Sequence, residues 1–151
     1  MRSESMAVGF SSREEYGLLA VMRLAMNEGA GPLQAREIAR LETLPESFLQ
    51  QLLSLLTRAG ITRSMRGAFG GYELAHPASS VTVGEVVRAL SGDTETTFTS
   101  PRRKRPEADV LRDLHDRMRR AAAQVLDSVT IESLVEERSS QGSEGGFMMN
   151  I

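Results

Sequence analysis

Ser47, Gln50 and Gln51 stand at the start of an amphipathic stretch, and Arg58, Arg63 and Arg66 follow before a set of glycines, Gly67, Gly70 and Gly71. A glutamine amide can pair bidentately with adenine, and each such pair contributes about 1–3 kcal/mol of discrimination between bases. Guanidinium groups carry fixed charge to phosphates and into the minor groove, and glycines let backbone amides come equally close. Residues 57 to 72 hold those three arginines and no acid, a local charge of +3 within a chain whose formal net charge is −2. An acidic total speaks against a nucleic-acid partner, because phosphate binding draws on positive charge. Here the acids gather elsewhere, at Glu14, Glu15, Glu132, Glu136, Glu137 and Glu144, so the total hides a basic face. Taken singly, each feature is weak: polar residues often form a solvated helix face, and arginine-bearing hairpins occur in proteins of every function. In sequence order they have the layout of a DNA-reading helix followed by a wing.

Side chains of this kind need a scaffold, and the periodicity supplies one. Ser11 or Ser12 offers an N-cap with Glu14 and Glu15 in the first turn, suited to the helix dipole. Leu18, Leu19, Val21, Met22, Leu24, Ala25 and Met26 make the following helix apolar on more than one side, and Gly29 and Gly31 end it. Gln34 to Leu41 places Ile38, Ala39 and Leu41 at helical spacing. After a tight link, Phe48, Leu49, Leu52, Leu53, Leu55 and Leu56 share one broad face and leave Glu46, Ser47, Gln50, Gln51 and Ser54 outside. Two helices joined this closely predict a helix-turn-helix. Ala59-Gly60 closes the second, Ile61 to Met65 alternates like a strand, and Tyr72 to Leu74 returns beyond the glycines as the other half of a hairpin. Val81 to Leu90 reads as a further helix with Val83, Val86, Val87 and Leu90 inward.

Composition changes at Asp93. The stretch to Pro106 is Thr-rich and carries Arg102, Arg103, Lys104 and Arg105 between two prolines, with little to bury. It reads as an exposed loop with no site role. From Asp109 to Val129, Leu111, Leu114, Met118, Ala121, Ala122, Val125 and Val129 repeat at steps of three and four. Nothing else in the chain is left to cover that stripe, so a second copy of the same helix is the economical partner, giving a two-fold dimer. Ile131, Leu134 and Val135 would add a last turn of contact. The segment Ser139 to Gly146 is rich in Gly and Ser and predicts a flexible tether. It leads to Phe147, Met148, Met149, Asn150 and Ile151, an apolar end whose carboxylate suits capture in a backbone nest on another protein, or which has no role at all.

The expected fold class is therefore mainly α with a small β-hairpin. A winged helix-turn-helix domain covers 11–91, an exposed loop 92–106, a dimerisation helix 107–137 and a flexible tail 138–151. In 151 residues there are no cysteines, which excludes disulfides, zinc thiolate sites and cysteine-ligated iron-sulfur clusters. The two histidines, His76 and His115, lack ligand spacing, so neither a metal nor any cofactor is expected. No nucleophile with a base, no paired carboxylates and no phosphate-binding Gly loop before a helix point to an enzyme. The chain has no secretory apolar core and no apolar run near the roughly 20 residues of a membrane span, so the expectation is a cytoplasmic protein. The competing reading is a winged-helix module that uses the same surface to hold a protein; the acidic total and the apolar end favour it.

The residues also resemble a known family. Tyr16-Gly17-Leu18-Leu19-Ala20, Ala35-Arg36-Glu37-Ile38-Ala39, Phe48-Leu49-Gln50-Gln51-Leu52-Leu53, Arg66-Gly67 with Gly70-Gly71-Tyr72-Glu73-Leu74-Ala75, and Thr82-Val83-Gly84-Glu85-Val86-Val87 are similar to segments of the Rrf-two winged-helix transcription regulators. The resemblance implies a recognition helix at Glu46 to Arg58, a wing around Arg66 to Gly71 and a dimer formed by the helix after the loop. It implies a homodimeric regulator, read as a repressor, on a pseudo-palindromic duplex: Ser47, Gln50 and Gln51 reading bases, Arg58, Arg63 and Arg66 on phosphates, and Ser12 and Tyr16 at the backbone. Cluster-binding members carry three cysteines in the loop that here runs from Asp93 to Pro106; none is present, and Glu15, at the place of an acidic ligand in some members, cannot hold a cluster alone. Iron-sulfur sensing therefore does not transfer. The chain end also resembles that of serine acetyltransferase, whose terminal isoleucine enters the active site of cysteine synthase. Cysteine-free family members are linked to sulfur metabolism, so the resemblance makes cysteine synthase a candidate partner.

Overall fold

In the computed structural model, which describes residues 9–91 and 106–149, the first helix starts where its cap chemistry requires. Ser11 Oγ accepts from the Glu14 amide at 3.1 Å, and the Glu14 carboxylate accepts from the Ser11 amide at 2.8 Å. This capping box satisfies two orphan donors and sets Glu14 and Glu15 at the positive end of the helix. Ser11, not Ser12, is the cap. The helices α1 (Ser12–Met26), α2 (Ala35–Glu42) and α3 (Glu46–Arg58) are followed by the hairpin β1 (Thr62–Met65) and β2 (Gly71–Leu74). A single 3-10 turn at Ala78–Ser80 leads to α4 (Val83–Ser91), and α5 (Pro106–Ser128) and α6 (Ile131–Met149) complete the described chain.

The core follows the apolar periodicity. Leu49, Leu52, Leu53 and Leu56 of α3 are buried against Leu18, Val21 and Leu24 of α1, Ile38 and Ala39 of α2, and Val83, Val86 and Leu90 of α4. Phe48 and Leu55 are half-buried, and Ser47, Gln50, Gln51 and Ser54 are exposed, as the pattern predicts. Between α2 and α3, Thr43 adopts a left-handed conformation with φ 57°, and the Leu44 amide donates back to the Ala39 carbonyl at 2.9 Å. That closure satisfies the end of α2 and turns the chain within three residues into α3. The hairpin register pairs Thr62 with Leu74, Arg63 with Glu73, Ser64 with Tyr72 and Met65 with Gly71.

Two expectations for the C-terminal third are corrected. The long helix over 107–137 is interrupted: α5 ends at Ser128, and Val129 and Thr130 run antiparallel beside Val81 to Val83. The Val83 amide donates to the Val129 carbonyl at 2.9 Å and the Ile131 amide to the Val81 carbonyl at 2.8 Å. Thr130 Oγ1 then caps α6 by accepting from the Ser133 amide at 3.1 Å. Ile131 is fully buried and Leu134 and Val135 are packed against the core, so these three side chains pack on the N-terminal helices within the same chain. The second concerns residues 138–149 of the expected tail, whose backbone is helical.

An ion cluster fastens α6 to the rest. Glu42, at the end of α2, is 3% exposed and receives Arg23 of α1 at 2.7 Å and Arg138 of α6 at 3.1 Å. A buried carboxylate is tolerated only when its lone pairs are filled by charge-assisted donors, and two guanidiniums from different helices meet that need. The stripe of α5 behaves otherwise: Val110, Leu111, Leu114, Met118 and Val125 stay exposed, with Ala121 exposed and Ala122 and Val129 half-buried.

Candidate nucleic-acid interface

Helix α3 and the hairpin are fixed to each other by groups that no periodicity reveals. At the end of α3, Thr57 Oγ1 lies 2.8 Å from Oγ1 of Thr62, the first residue of β1, in a hydrogen bond between two hydroxyls. Thr62 is 2% exposed, and its buried hydroxyl is satisfied only by this partner among the described residues. The hairpin is also held from its other side. Leu33, just before α2, donates its amide to the Tyr72 carbonyl at 2.9 Å and accepts from the Tyr72 amide at 2.7 Å. The wing is thus tied to α3 and to the segment before α2, by one side-chain bond and two backbone bonds.

Ser47, Gln50 and Gln51 lie exposed on the first two turns of α3. Gln50 Nε2 is 3.4 Å from the Glu46 carboxylate, a long contact that a better acceptor displaces readily; Ser47 and Gln51 have no side-chain hydrogen bond among the described residues. Their capacity is open for base edges. Arg58 in the last turn of α3 and Arg66 in the wing loop are exposed and in no ion pair among the described residues. Gly67 (φ 110°), Gly70 and Gly71 (φ 145°) carry the chain through that loop.

Two of the expected contact residues also have a partner within the fold. Arg63 meets Glu73 directly across the hairpin, Nε to carboxylate at 2.6 Å, so part of the charge counted on residues 57 to 72 is neutralised by an acid one position beyond that window. Tyr16 is half-buried, with its ring edge-on to Phe48 at 5.7 Å and 77°, a geometry that favours an aromatic pair; it braces α1 against α3. Ser12 is exposed in the first turn of α1 beside the Ser11 cap. Sequence reasoning passed over Phe69, which is 92% exposed in the wing loop, although its place between glycines at a hairpin turn is a readable signal. On α2, Arg40 bonds the Glu37 carboxylate at 2.7 Å; this hydrogen bond holds the Glu37 carboxyl below the usual carboxylate range and raises Arg40. The residues Arg102 to Arg105, and the side chains of Phe147, Met148, Met149, Asn150 and Ile151 expected to bind a partner, lie outside the described residues.

A buried helix-turn-helix whose second helix presents unpaired polar groups, joined to a two-stranded wing with a free arginine, defines a winged-helix DNA-binding protein. A family model described as "Rrf2: Iron-dependent Transcriptional regulator" matches residues 10–137, and the chain belongs to that family. It is a DNA-binding transcriptional regulator, not an enzyme. The HTH-type transcriptional regulator CymR of Bacillus subtilis is 35% identical over 93% of this chain and 98% of its own. The regulator IscR of Escherichia coli is 37% identical over 58% of this chain and 54% of its own. Among solved structures, T. potens IscR superposes with a TM-score of 0.73 at 30% identity, covering 89% of this chain and 90% of its own. The structure of CymR, titled the global cysteine regulator of B. subtilis, gives 0.72 at 35% identity over 87% and 98%.

Iron dependence in the family description requires a test against the donors present. The whole chain contains no cysteine, and among the described residues no three His, Asp or Glu side chains converge to hold a metal ion. Thiolates are the ligands that iron-sulfur clusters need, so the donor set does not fit a cluster. No helix among the described residues is long and apolar enough to cross a membrane.

Proposed function

We propose that the protein is a cytoplasmic, homodimeric repressor without an iron-sulfur cluster, binding a pseudo-palindromic operator with one α3 in each of two major-groove half-sites about one DNA turn apart. The observation that carries this reading is the joint placement of α3 and the wing. Ser47 and Gln51, unpaired among the described residues, stand on a helix whose opposite face is buried, and Arg66, likewise unpaired among them, stands on a hairpin hydrogen-bonded to the ends of that helix-turn-helix. Gln50 and Gln51 read base edges, Arg58 and Arg66 neutralise phosphates, and Arg63 contributes mainly by holding the hairpin through Glu73. The exposed stripe on α5 supports the dimer, because a monomer gains nothing by keeping five large apolar side chains of one helix in water.

Arg66→Ala should weaken binding about tenfold on every bound fragment and reduce the dependence of log affinity on log salt by close to one counterion. Fluorescence anisotropy across a salt series on genomic fragments retained by the wild-type chain measures both. Unchanged affinity and slope would remove the wing from the interface.

Control of cysteine or sulfur metabolism is supported by the likeness to CymR along nearly its whole length. Cysteine synthase is the proposed partner of Phe147, Met148, Met149, Asn150 and Ile151, on the resemblance of these residues to the segment of serine acetyltransferase that enters the synthase. Deleting Asn150-Ile151 should abolish calorimetric binding to the synthase, and equal affinity for the shortened chain would end that assignment.

A further inference from the structure

Phe69 is the one large apolar side chain of the wing loop, and it is 92% exposed. An isolated exposed apolar residue is ordinary on a protein surface, so its location must decide whether it acts. It lies three residues after Arg66 in the loop that joins Met65 to Gly71, flanked by Ala68 and Gly70. The hairpin beneath it is fixed on both sides, by the Thr57–Thr62 hydroxyl bond and by the two backbone bonds between Leu33 and Tyr72. Gly70 itself is buried, and a Cβ there would run into the Met65 carbonyl. The ring is therefore carried at the end of a stiff element that also bears an unpaired guanidinium. Resting on the DNA-binding reading above, we infer that Phe69 is a shape-reading residue of this interface, whose ring enters the minor groove beside Arg66 and presses against a base step.

The physics of the minor groove selects this use. Its floor distinguishes A·T from G·C only coarsely by hydrogen bonds, so discrimination there depends on width and on how easily a step unstacks. Apolar wedges exploit the second property, and pyrimidine–purine steps, TA and CA, yield most readily. Arg66 supplies attraction to the groove without preference for a step. Phe69 supplies the preference without charge. The two contributions are separable because only one of them displaces counterions.

The test uses the full-length wild-type, Phe69→Ala and Arg66→Ala proteins with the shortest genomic fragment that the wild type retains. Each flanking TA or CA step is labelled in turn with 2-aminopurine. Phe69→Ala should bind about tenfold more weakly with the same salt slope as wild type, and it should lose the fluorescence rise that reports unstacking at one step. Replacing that step by AA should weaken wild type by a similar factor and leave Phe69→Ala unaffected. Equal affinity and equal unstacking in Phe69→Ala overturn the inference while leaving DNA binding intact. A salt slope reduced as in Arg66→Ala also overturns it, since the ring would then act only by placing the charge. If wild type retains no fragment, the DNA-binding reading falls first and this inference with it.

Discussion

Leu114→Glu combined with Met118→Glu is expected to convert the protein to a monomer and to lower its affinity for a full operator by at least about a hundredfold. Both side chains lie on the α5 stripe and are half in solvent, at 48% and 50% exposure, within a single chain. The substitutions therefore leave the monomer's own core untouched, and an unchanged circular dichroism spectrum is expected. In a two-fold dimer the same residues meet their symmetry mates or near neighbours, so each change places like charges at the seam. Without the dimer, each reading helix must find its half-site separately. The gain from linking two sites is commonly a factor of 10² to 10⁴, which sets the size of the loss. Analytical ultracentrifugation and anisotropy on the same preparation check both parts. A double variant that sediments as a dimer, or that holds the operator as tightly as wild type, removes α5 from the interface between copies.

Gly71→Ala should cost the protein its wing while sparing the helices. Gly71 has φ 145°, a conformation that L side chains rarely adopt, and a Cβ there would press on the Leu33 carbonyl and lie 2.9 Å from the Gln34 amide nitrogen. The strain, about 1–3 kcal/mol, falls next to the two hydrogen bonds that pin Tyr72 to Leu33, each worth about 1 kcal/mol net. Relief comes most cheaply by letting the hairpin swing away from α2. DNA affinity should then fall roughly ten- to a hundredfold, a range that corresponds to about 1.4–2.8 kcal/mol. The loss should exceed that from Gly67→Ala, where φ 110° is also unfavourable to a side chain but the added Cβ meets open space. Hydrogen exchange at the Tyr72 amide gives an independent reading. Protection equal to wild type there, together with full affinity, would show that the close approach to Leu33 is dispensable.

Much of this architecture is legible in the chain because local pattern encodes local form. The stripe Leu49, Leu52, Leu53 and Leu56 can be satisfied only by a helix with its back to a core, and that leaves Ser47, Gln50 and Gln51 on the outside. Glycines between two short alternating runs specify a hairpin, and its loop is where Arg66 must be. The exposed stripe on α5 is legible for the same reason: it is a periodic apolar face with no complement elsewhere in the sequence.

What those patterns leave open is decided by partners distant in the chain. Arg63 carries its charge into the window 57 to 72, and the hairpin register also sets Glu73 opposite it, where the two side chains pair. Tyr16 reads as a backbone contact, and the packing of α1 on α3 also brings its ring edge-on to Phe48. The apolar repeat runs past Ser128 without a breaking residue, and the helix ends there because Val81 to Val83 offer backbone groups to Val129 and Ile131. Arg138, in a stretch that reads as tail, is drawn to a carboxylate 96 positions earlier, where Glu42 is buried and already faces Arg23. Helices, hairpin and exposed reading face were thus settled by side-chain order alone, since apolar spacing acts over a few residues. Which charges stay free, where α5 stops and what α6 covers were settled only in three dimensions, because hydrogen bonds and ion pairs are satisfied by proximity in space and carry no local periodicity.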